Sequence, residues 1–236
     1  MGTIVNFAAT EARPLAPGVS TATLIDKDSS EMQVALLRLA AGQYRAQVPI
    51  GSDRYLFVID GTVRIEAGGQ QATMGPQTFA ILQEGTAFTL GDGTATVLDV
   101  VVPPAGMPRA STGFGDGLKV MAVKDLPVVD LPEEKKRRTY LASKSTVGSE
   151  RGHAMIVRYT GDTVTRKHHH PNAESMFVML DGYVRFLVNG QEETVGPGQA
   201  VHFPMNDRHG LRSADGRELS FLEFHIPGAF VTQYDD

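Results

Sequence analysis

The sequence predicts an all-β protein built from two similar β-barrel units. Three observations lead to this fold class: short β-rich segments follow one another along the whole chain, turn residues separate them, and one pattern of strands occurs twice. Convincing helical periodicity is scarce, which argues against the mixed fold classes.

The predicted strands are short and lie between turns rich in Gly, Pro, Asn and Asp. The main segments are residues 19–24, 33–39, 78–82, 94–102, 154–159, 200–203 and 219–225. Short β-branched and aromatic runs bounded by such turns are typical of strands in barrels and sandwiches.

Two segments share one pattern, YLFVIDGTVRI at residues 55–65 and MFVMLDGYVRF at residues 176–186. Each contains a central Asp-Gly, which predicts a strand, a tight turn and a second strand. The two central glycines are 121 residues apart, and two Gly-Pro turns, at Gly75 and Gly196, have the same separation. A constant offset indicates a duplicated unit.

The domain boundary is expected between these repeats. A chain of 236 residues is long enough for two domains of ordinary size. Residues 103–134 are rich in Pro, Gly and Asp, which is typical of a connection. We therefore predict an N-terminal domain at residues 1–124 and a C-terminal domain at residues 125–236.

Composition and charge exclude several classes of protein. The formal net charge of −5 offers no basic surface for nucleic acid, which requires cations to displace counterions from phosphates. The sequence shows neither a secretory leader nor a segment long enough to span a membrane, so we expect a cytoplasmic protein. The chain has no cysteine, so any metal site must use nitrogen and oxygen ligands.

The histidines are concentrated in the second repeat. All seven lie there, at positions 153, 168, 169, 170, 202, 209 and 225. At the offset of 121 residues, the equivalents of His168, His170, Glu174 and His209 in the first repeat are Gln47, Pro49, Asp53 and Phe88. The second repeat is therefore predicted to carry the functional site, and the first to be structural.

The spacing of these residues predicts a metal site. His168 and His170 are two residues apart, so on a strand both imidazoles face one side, and His169 faces the other. Glu174 follows a Pro-Asn turn and can return toward them, and His209 can add a third nitrogen from a distant strand. Three imidazoles and one carboxylate suit a divalent transition metal such as iron, manganese, nickel, copper or zinc, with open positions for chemistry.

These residues resemble the cupin superfamily. Its first motif is matched in order by Gly161, His168, His170, Glu174 and Gly182, and its second motif by Gly198, Pro204 and His209. The sequence departs from the pattern in several places: six residues rather than five precede His168, Asn206 replaces the turn glycine, and Ser213 replaces an asparagine.

A further departure concerns the acidic ligand. Seven residues rather than six separate Glu174 from Gly182. Either a bulge keeps Glu174 as a ligand, which we expect, or Ser175 takes its place in the strand and leaves a three-histidine site.

The resemblance implies two tandem cupin domains, each a jelly-roll β-barrel, with a metal in the second. The fold hosts many chemistries, so the activity is a separate question. We expect an oxygen-dependent dioxygenase acting on a small organic molecule, without a protein nucleophile. The alternatives are a manganese-dependent hydrolase similar to ureidoglycine aminohydrolases, whose two-barrel architecture this chain resembles, a sugar or keto-acid isomerase, and a non-catalytic ligand-binding cupin.

Strand alternation suggests which residues contact the small-molecule substrate. Met176 and Val178 share the face of Glu174 and would form an apolar wall. Arg158 and Arg166 are candidate anchors for a substrate carboxylate, because a guanidinium binds it with two parallel hydrogen bonds. Hydrophobic strands could also pair between copies of the chain, so a homo-oligomer is left open.

Overall fold

The computed structural model describes residues 1–26, 29–111, 113, 115 and 117–235. The strands of the first half are β1 (Thr3–Asn6), β2 (Arg13–Ala16), β3 (Val19–Ile25), β4 (Gln33–Ala40), β5 (Tyr44–Gln47), β6 (Asp53–Ala67), β7 (Gln70–Met74), β8 (Thr78–Leu82), β9 (Ala87–Val102) and β10 (Leu118–Ala122). Those of the second half are β11 (Val129–Leu131), β12 (Lys136–Ala142), β13 (His153–Tyr159), β14 (His168–His169), β15 (Glu174–Asp181), β16 (Val184–Val188), β17 (Gln191–Val195), β18 (Gln199–Phe203), β19 (Leu211–Ser213), β20 (Leu219–Ile226) and β21 (Gln233–Tyr234).

Helical structure in the described residues is limited to single turns. They are an α-helix at Lys144–Val147 and 3-10 helices at Val123–Asp125 and Pro132–Glu134. The all-β prediction is confirmed, and each strand predicted from sequence coincides with an observed one. None of the helices in the described part of the chain is long and apolar enough to cross a bilayer.

The chain forms two compact units. The N-terminal unit comprises Thr10–Leu126 and Val147–Arg151, and the C-terminal unit comprises Met1–Ala9, Pro127–Thr146 and Gly152–Asp236. The chain passes from the N-terminal to the C-terminal unit between Leu126 and Pro127. The predicted division, between residues 124 and 125, is close to this point. The first nine residues join the C-terminal unit because β1 pairs antiparallel with β18, a long-range pairing that no local pattern encodes.

The N-terminal unit is one antiparallel sheet in the order β10-β8-β6-β9-β4-β3-β2, with β5 on β9 and β7 on β6. Its interior is filled by aliphatic and aromatic side chains from β4 to β10, including Leu56, Val63, Phe88 and Leu90.

The C-terminal unit contains a seven-stranded antiparallel sheet in the order β1-β18-β15-β20-β13-β12-β11 and a three-stranded sheet β17-β16-β19. A short ladder joins β14 to β21. One end of the interior is packed with aromatic and aliphatic side chains, among them Phe177, Phe186, Phe203 and Phe221. The other end remains open as a cavity of about 550 Å³.

The prediction of a tight hairpin turn at each Asp-Gly is wrong. β6 runs without a break through Gly61 and pairs with β9 on both sides of it, with a register shift between Val58 and Asp60. Gly61 has a φ of 78°, and a Cβ there would lie 2.1 Å from the carbonyl oxygen of Thr94. A glycine in this conformation makes a bulge that bends the strand without reversing it. The chain also bends at Gly182. β15 shifts its register on β20 between Met179 and Asp181, and after Gly182 the chain enters the three-stranded sheet as β16.

Candidate metal centre

Three histidines meet at the open end of the C-terminal unit. One ring nitrogen from each of His168, His170 and His209 lies within 4.8 Å of the others. His168 and His209 form an isolated antiparallel β-bridge, with backbone hydrogen bonds of 2.9 Å and 2.8 Å in the two directions. His170 follows two residues after His168 on the same face, as the spacing predicted.

The outer nitrogen of each ring is bound to a backbone carbonyl. The Nδ1 atoms of His168, His170 and His209 lie 2.9 Å from the carbonyl oxygens of Arg166, Val231 and Asp207, respectively. A carbonyl can only accept, so each Nδ1 carries the proton and each Nε2 keeps its lone pair. Metal-binding histidines are usually oriented in this way by a partner on the other nitrogen.

The imidazoles are also held in the neutral form. Burial, with the field of neighbouring histidines, lowers the pKa of His209 to about 3 and that of His170 to about 4. Burial lowers the pKa of His168 as well. In the described structure the Nε2 atoms of His170 and His209 are buried and have no hydrogen-bond partner. Converging, unprotonated and unpartnered nitrogens are the donor set that a divalent transition metal requires.

Glu174 is not brought to this cluster. It lies on β15, where Phe177 and Met179 face the interior, so that Glu174 and Met176 face the opposite side. The Glu174 carboxylate accepts a hydrogen bond of 2.8 Å from Nε2 of His202, which lies directly across from Met176 on β18. His202 is therefore the partner of the expected acidic ligand.

Ser175 faces the interior in place of Glu174. Its hydroxyl lies 3.0 Å from Nδ1 of His225, and Nε2 of His225 lies 2.9 Å from a carboxylate oxygen of Glu223. The His225 ring is 4.6 Å from that of His170, centroid to centroid. A hydrogen-bonded chain of Ser175, His225 and Glu223 thus borders the histidine cluster. The seven-residue spacing to Gly182 was the sequence signal for this arrangement.

Of the four residues predicted to contact the substrate, only Arg166 lines the cavity. Met176 and Val178 lie on the face of β15 turned away from the cavity, and Phe177 lines it instead. Arg166 lines the cavity and stacks over the Tyr234 ring at 4.8 Å. Arg158 lies opposite Arg137 and Ser220 on the outer face of β13 and does not line the cavity.

The C-terminal segment closes one side of the site. The Val231 carbonyl orients His170, and the Phe230 ring stacks on His225 at 3.9 Å. Asn172 secures this segment, because its amide nitrogen donates to the Ala229 carbonyl at 2.7 Å and its amide oxygen accepts from the Val231 amide at 2.8 Å. No local motif marks these contacts, so sequence reasoning missed them.

The far wall of the cavity is polar. β12 contributes three interior side chains, Lys136, Arg138 and Tyr140, which alternate with outward residues. Glu223 from β20 lies on the same wall. Lys136 and Arg138 come from the basic run at residues 135–138, in which strand alternation turns every second side chain inward.

In the N-terminal unit the equivalent positions are used for packing and internal pairing. Phe88 belongs to the core, and the Gln47 amide donates to the Gly85 carbonyl at 2.9 Å. Asp53 is buried and forms an ion pair of 2.8 Å with Arg151, which also pairs with Glu84 at 2.9 Å.

Comparisons with known proteins agree with this architecture. Residues 155–225, which include all three histidines of the cluster, match the model of the Cupin domain. No curated protein matches the chain significantly.

Solved structures match over nearly the whole chain. Oxalate decarboxylase from Lactobacillus farciminis, in a formate complex, superposes with a TM-score of 0.73 and 13% identity, over 98% of this chain and 88% of that one. Oxalate decarboxylase OxdC from Bacillus subtilis, in a mutant form, gives a TM-score of 0.71 and 13% identity, over 98% of this chain and 78% of that one. At this identity the likeness concerns the fold. The chain therefore has the fold of two tandem cupin domains, and its matched cupin domain contains the three-histidine cluster.

Proposed function

We propose that the C-terminal unit is a metal-dependent enzyme that acts on a small organic substrate. One observation carries the proposal: the half-buried His168 and the buried His170 and His209 present unprotonated Nε2 atoms to one another at the wall of a cavity of about 550 Å³. Cavities of this size suit small ligands and cofactor sites.

The charge of the site favours an anionic substrate. Three neutral imidazoles leave the two positive charges of a divalent ion without compensation from its ligands. A substrate with two oxygen donors, one of them ionised, would supply both charge and ligands. A bound divalent ion would supply Lewis acidity to the substrate oxygen and positions for a second reactant.

The side chains around the cluster orient the reactants and exclude water. The rings of Phe177, Phe221 and Phe230 line the cavity and limit its hydration. The carbonyl contacts at Nδ1 hold the three imidazoles in place, so that no ligand needs to rotate when substrate binds.

We favour oxygen-dependent cleavage of an enol, phenol or diketone substrate. A divalent ion held by His168, His170 and His209 would keep positions open for oxygen donors of the substrate and for dioxygen. No protein nucleophile is required for this reaction. A hydrolase similar to ureidoglycine aminohydrolases and an isomerase would use the same centre, but no contact among the described cavity residues favours either.

Decarboxylation of a small carboxylic acid is the second candidate. The matched structures are oxalate decarboxylases, and one of them, from Bacillus subtilis, is described by its Mn(II) centres. The observation that favours this reaction here is the Ser175, His225 and Glu223 chain beside His170. Loss of carbon dioxide leaves a carbanion that needs a proton, and a hydrogen-bonded imidazole in the cavity can deliver one.

The test begins with elemental analysis of untagged protein and of the His168→Ala variant. We expect about one equivalent of a transition metal in the wild type and little in the variant. The metal-loaded protein is then incubated with small diketones, phenols and carboxylic acids while oxygen uptake and carbon dioxide release are both recorded.

The two gases separate the candidate reactions. Oxygen uptake that depends on His168 supports the dioxygenase, and carbon dioxide release without oxygen uptake supports the decarboxylase. A wild-type protein that takes up no divalent metal would overturn the proposed metal centre and leave a binding or structural cupin.

A further inference from the structure

Arg138 lies inside the cavity on its polar wall. The alternation of β12 directs Lys136, Arg138 and Tyr140 inward, opposite Tyr159, Val157 and Met155 of β13 in the strand register. The intervening Arg137 and Thr139 belong to the outer face.

Lys136 and Arg166, the other cations that line the cavity, differ from Arg138 in their partners. Arg166 stacks over the Tyr234 ring and donates to the Asp235 carbonyl at 3.5 Å. Lys136 forms an ion pair with Glu134. Among the described residues Arg138 forms no ion pair, and its Nε is buried without a hydrogen-bond acceptor. Its hydrogen-bond partner is the Tyr140 hydroxyl, a neutral group. An unmatched buried guanidinium donor is costly, so its retention suggests an acceptor that arrives with a ligand.

The neighbouring carboxylate does not satisfy this arginine. Glu223 is close enough to act on Arg138 through its field, but its carboxylate is hydrogen-bonded to His225. The Arg138 guanidinium therefore keeps donors for an external anion, and a planar carboxylate matches their fork geometry.

The distance across the sheet fits a small molecule. β20 carries His225 beside the histidine cluster and is two strand positions from β12, with β13 between them. Two strand spacings are roughly 10 Å, and an arginine side chain covers much of that span. A ligand of a few carbon atoms can therefore reach from Arg138 to the histidines.

We propose that Arg138 is the carboxylate anchor of this site, and that the substrate is a small carboxylic acid whose enol, phenol or keto oxygen is the second donor. The carboxylate pairs with the guanidinium, and the second donor faces the histidine cluster. This inference rests on the proposed metal centre for the second contact, but the contact with Arg138 is tested separately.

The test compares full-length wild type with Arg138→Gln, Arg138→Lys and the matched control Arg158→Gln, all loaded with Mn²⁺. Arg158 lies on the adjacent strand but on the outer face, so its loss should leave the cavity unchanged. Calorimetric titrations use pyruvate, malonate and succinate as carboxylate probes, and acetylacetone as a chelating probe without a carboxylate. Metal content is measured in each sample.

We expect Arg138→Gln to weaken binding of at least one carboxylate by roughly 10- to 100-fold, the contribution of a charge-assisted hydrogen-bonded pair. Arg138→Lys should restore part of the affinity, because a lysine retains the charge without the bidentate geometry. Acetylacetone binding, metal content and the behaviour of Arg158→Gln should remain as in the wild type.

Equal carboxylate affinity in wild type and Arg138→Gln, with metal retained in both, would overturn the role of Arg138. Failure of metal-loaded wild type to bind any of the three carboxylates would also overturn it. Absence of metal from the wild type, with carboxylate binding still dependent on Arg138, would instead reject the metal centre and keep the anchor.

Discussion

The Nε2 atom of His202 lies 2.8 Å from a carboxylate oxygen of Glu174, on the face of β15 that turns away from the histidine cluster. Both side chains are almost completely buried, with exposed fractions of 2% and 4%. The expected acidic ligand is thus part of a buried hydrogen-bonded pair between two strands.

This relationship predicts that Glu174→Gln keeps its metal. The amide oxygen can still accept from His202, but it loses the charge, so we expect the unfolding free energy to fall by about 1–3 kcal/mol. Elemental analysis after gel filtration and urea denaturation measure the two effects. Loss of the metal from a folded variant would return Glu174 to the ligand set.

The three histidines predict a metal-dependent gain in thermal stability. Mn²⁺ should raise the Tm of metal-stripped wild type, because a ligand that binds only the folded state stabilises it by mass action. His209→Ala should lose this response. The control is His169→Ala, since the His169 ring turns toward Asp235, with 4.0 Å between their nearest polar atoms, and not toward the cluster. An equal rise in Tm for His209→Ala and wild type would contradict the assignment.

We expect replacement of Asn172 to lower the metal affinity, although Asn172 does not contact the ligand atoms. Removing its amide frees the segment whose Val231 carbonyl orients His170. We expect Asn172→Ala to weaken metal binding by roughly 10- to 100-fold, the usual effect of removing an orienting contact. Competition with a chelator measures this affinity.

The matched control for that variant is Asn189→Ala, whose amide donates to the Gly2 carbonyl at 2.9 Å on another part of the unit. Both variants remove an asparagine amide that is hydrogen-bonded to the backbone. If they weaken metal binding equally, the C-terminal segment has no specific role in holding His170.

His153 predicts a pH dependence of stability. Burial, with the field of His225, lowers its pKa to about 4, although the field of Glu223 acts in the opposite direction and Arg138 adds to the lowering. In the unfolded chain this histidine takes up a proton below about pH 6.5, whereas the folded protein stays neutral there. The contribution of the neutral His153 ring to the free energy of unfolding is therefore complete above pH 6.5 and is lost as the pH falls toward 4.

The variant His153→Phe removes this titration. The ring packs edge-on against Tyr140 and Phe230, with centroid distances of 5.6 Å and 5.4 Å, so a phenyl group suits the position. Between pH 7 and pH 5 we expect metal-free wild type to lose about 2 kcal/mol more unfolding free energy than the variant. Urea denaturation at both pH values measures the difference, and parallel pH profiles would count against it.

Much of the fold was readable because its signals are local. β-rich runs between turn residues marked the strands, and the repeat offset of 121 residues marked the duplication. The prediction of hairpin turns at the Asp-Gly pairs was wrong, because a glycine with positive φ occurs in hairpin turns and in bulges alike. Only the continuous pairing of β6 with β9 distinguishes the two.

For the candidate site too, some features were readable from local spacing and others were not. The spacing of His168 and His170 determined that both rings share a side, and the pairing of His168 with His209 agreed with the second motif. For Glu174 the signal was ambiguous by one residue. Side chains alternate along a strand with a period of two, so this one residue decides whether Glu174 or Ser175 faces the cavity.

The sequence by itself determined the fold class, the duplication and the three histidines, since these depend on residues close together or repeated at a constant offset. The tertiary structure decided the face of β15, the orientation of His170 by Val231 and the position of Arg138 in the cavity wall. Each of these depends on pairing between strands far apart in the chain. Such pairing is set by burial of the whole apolar surface and not by any local pattern.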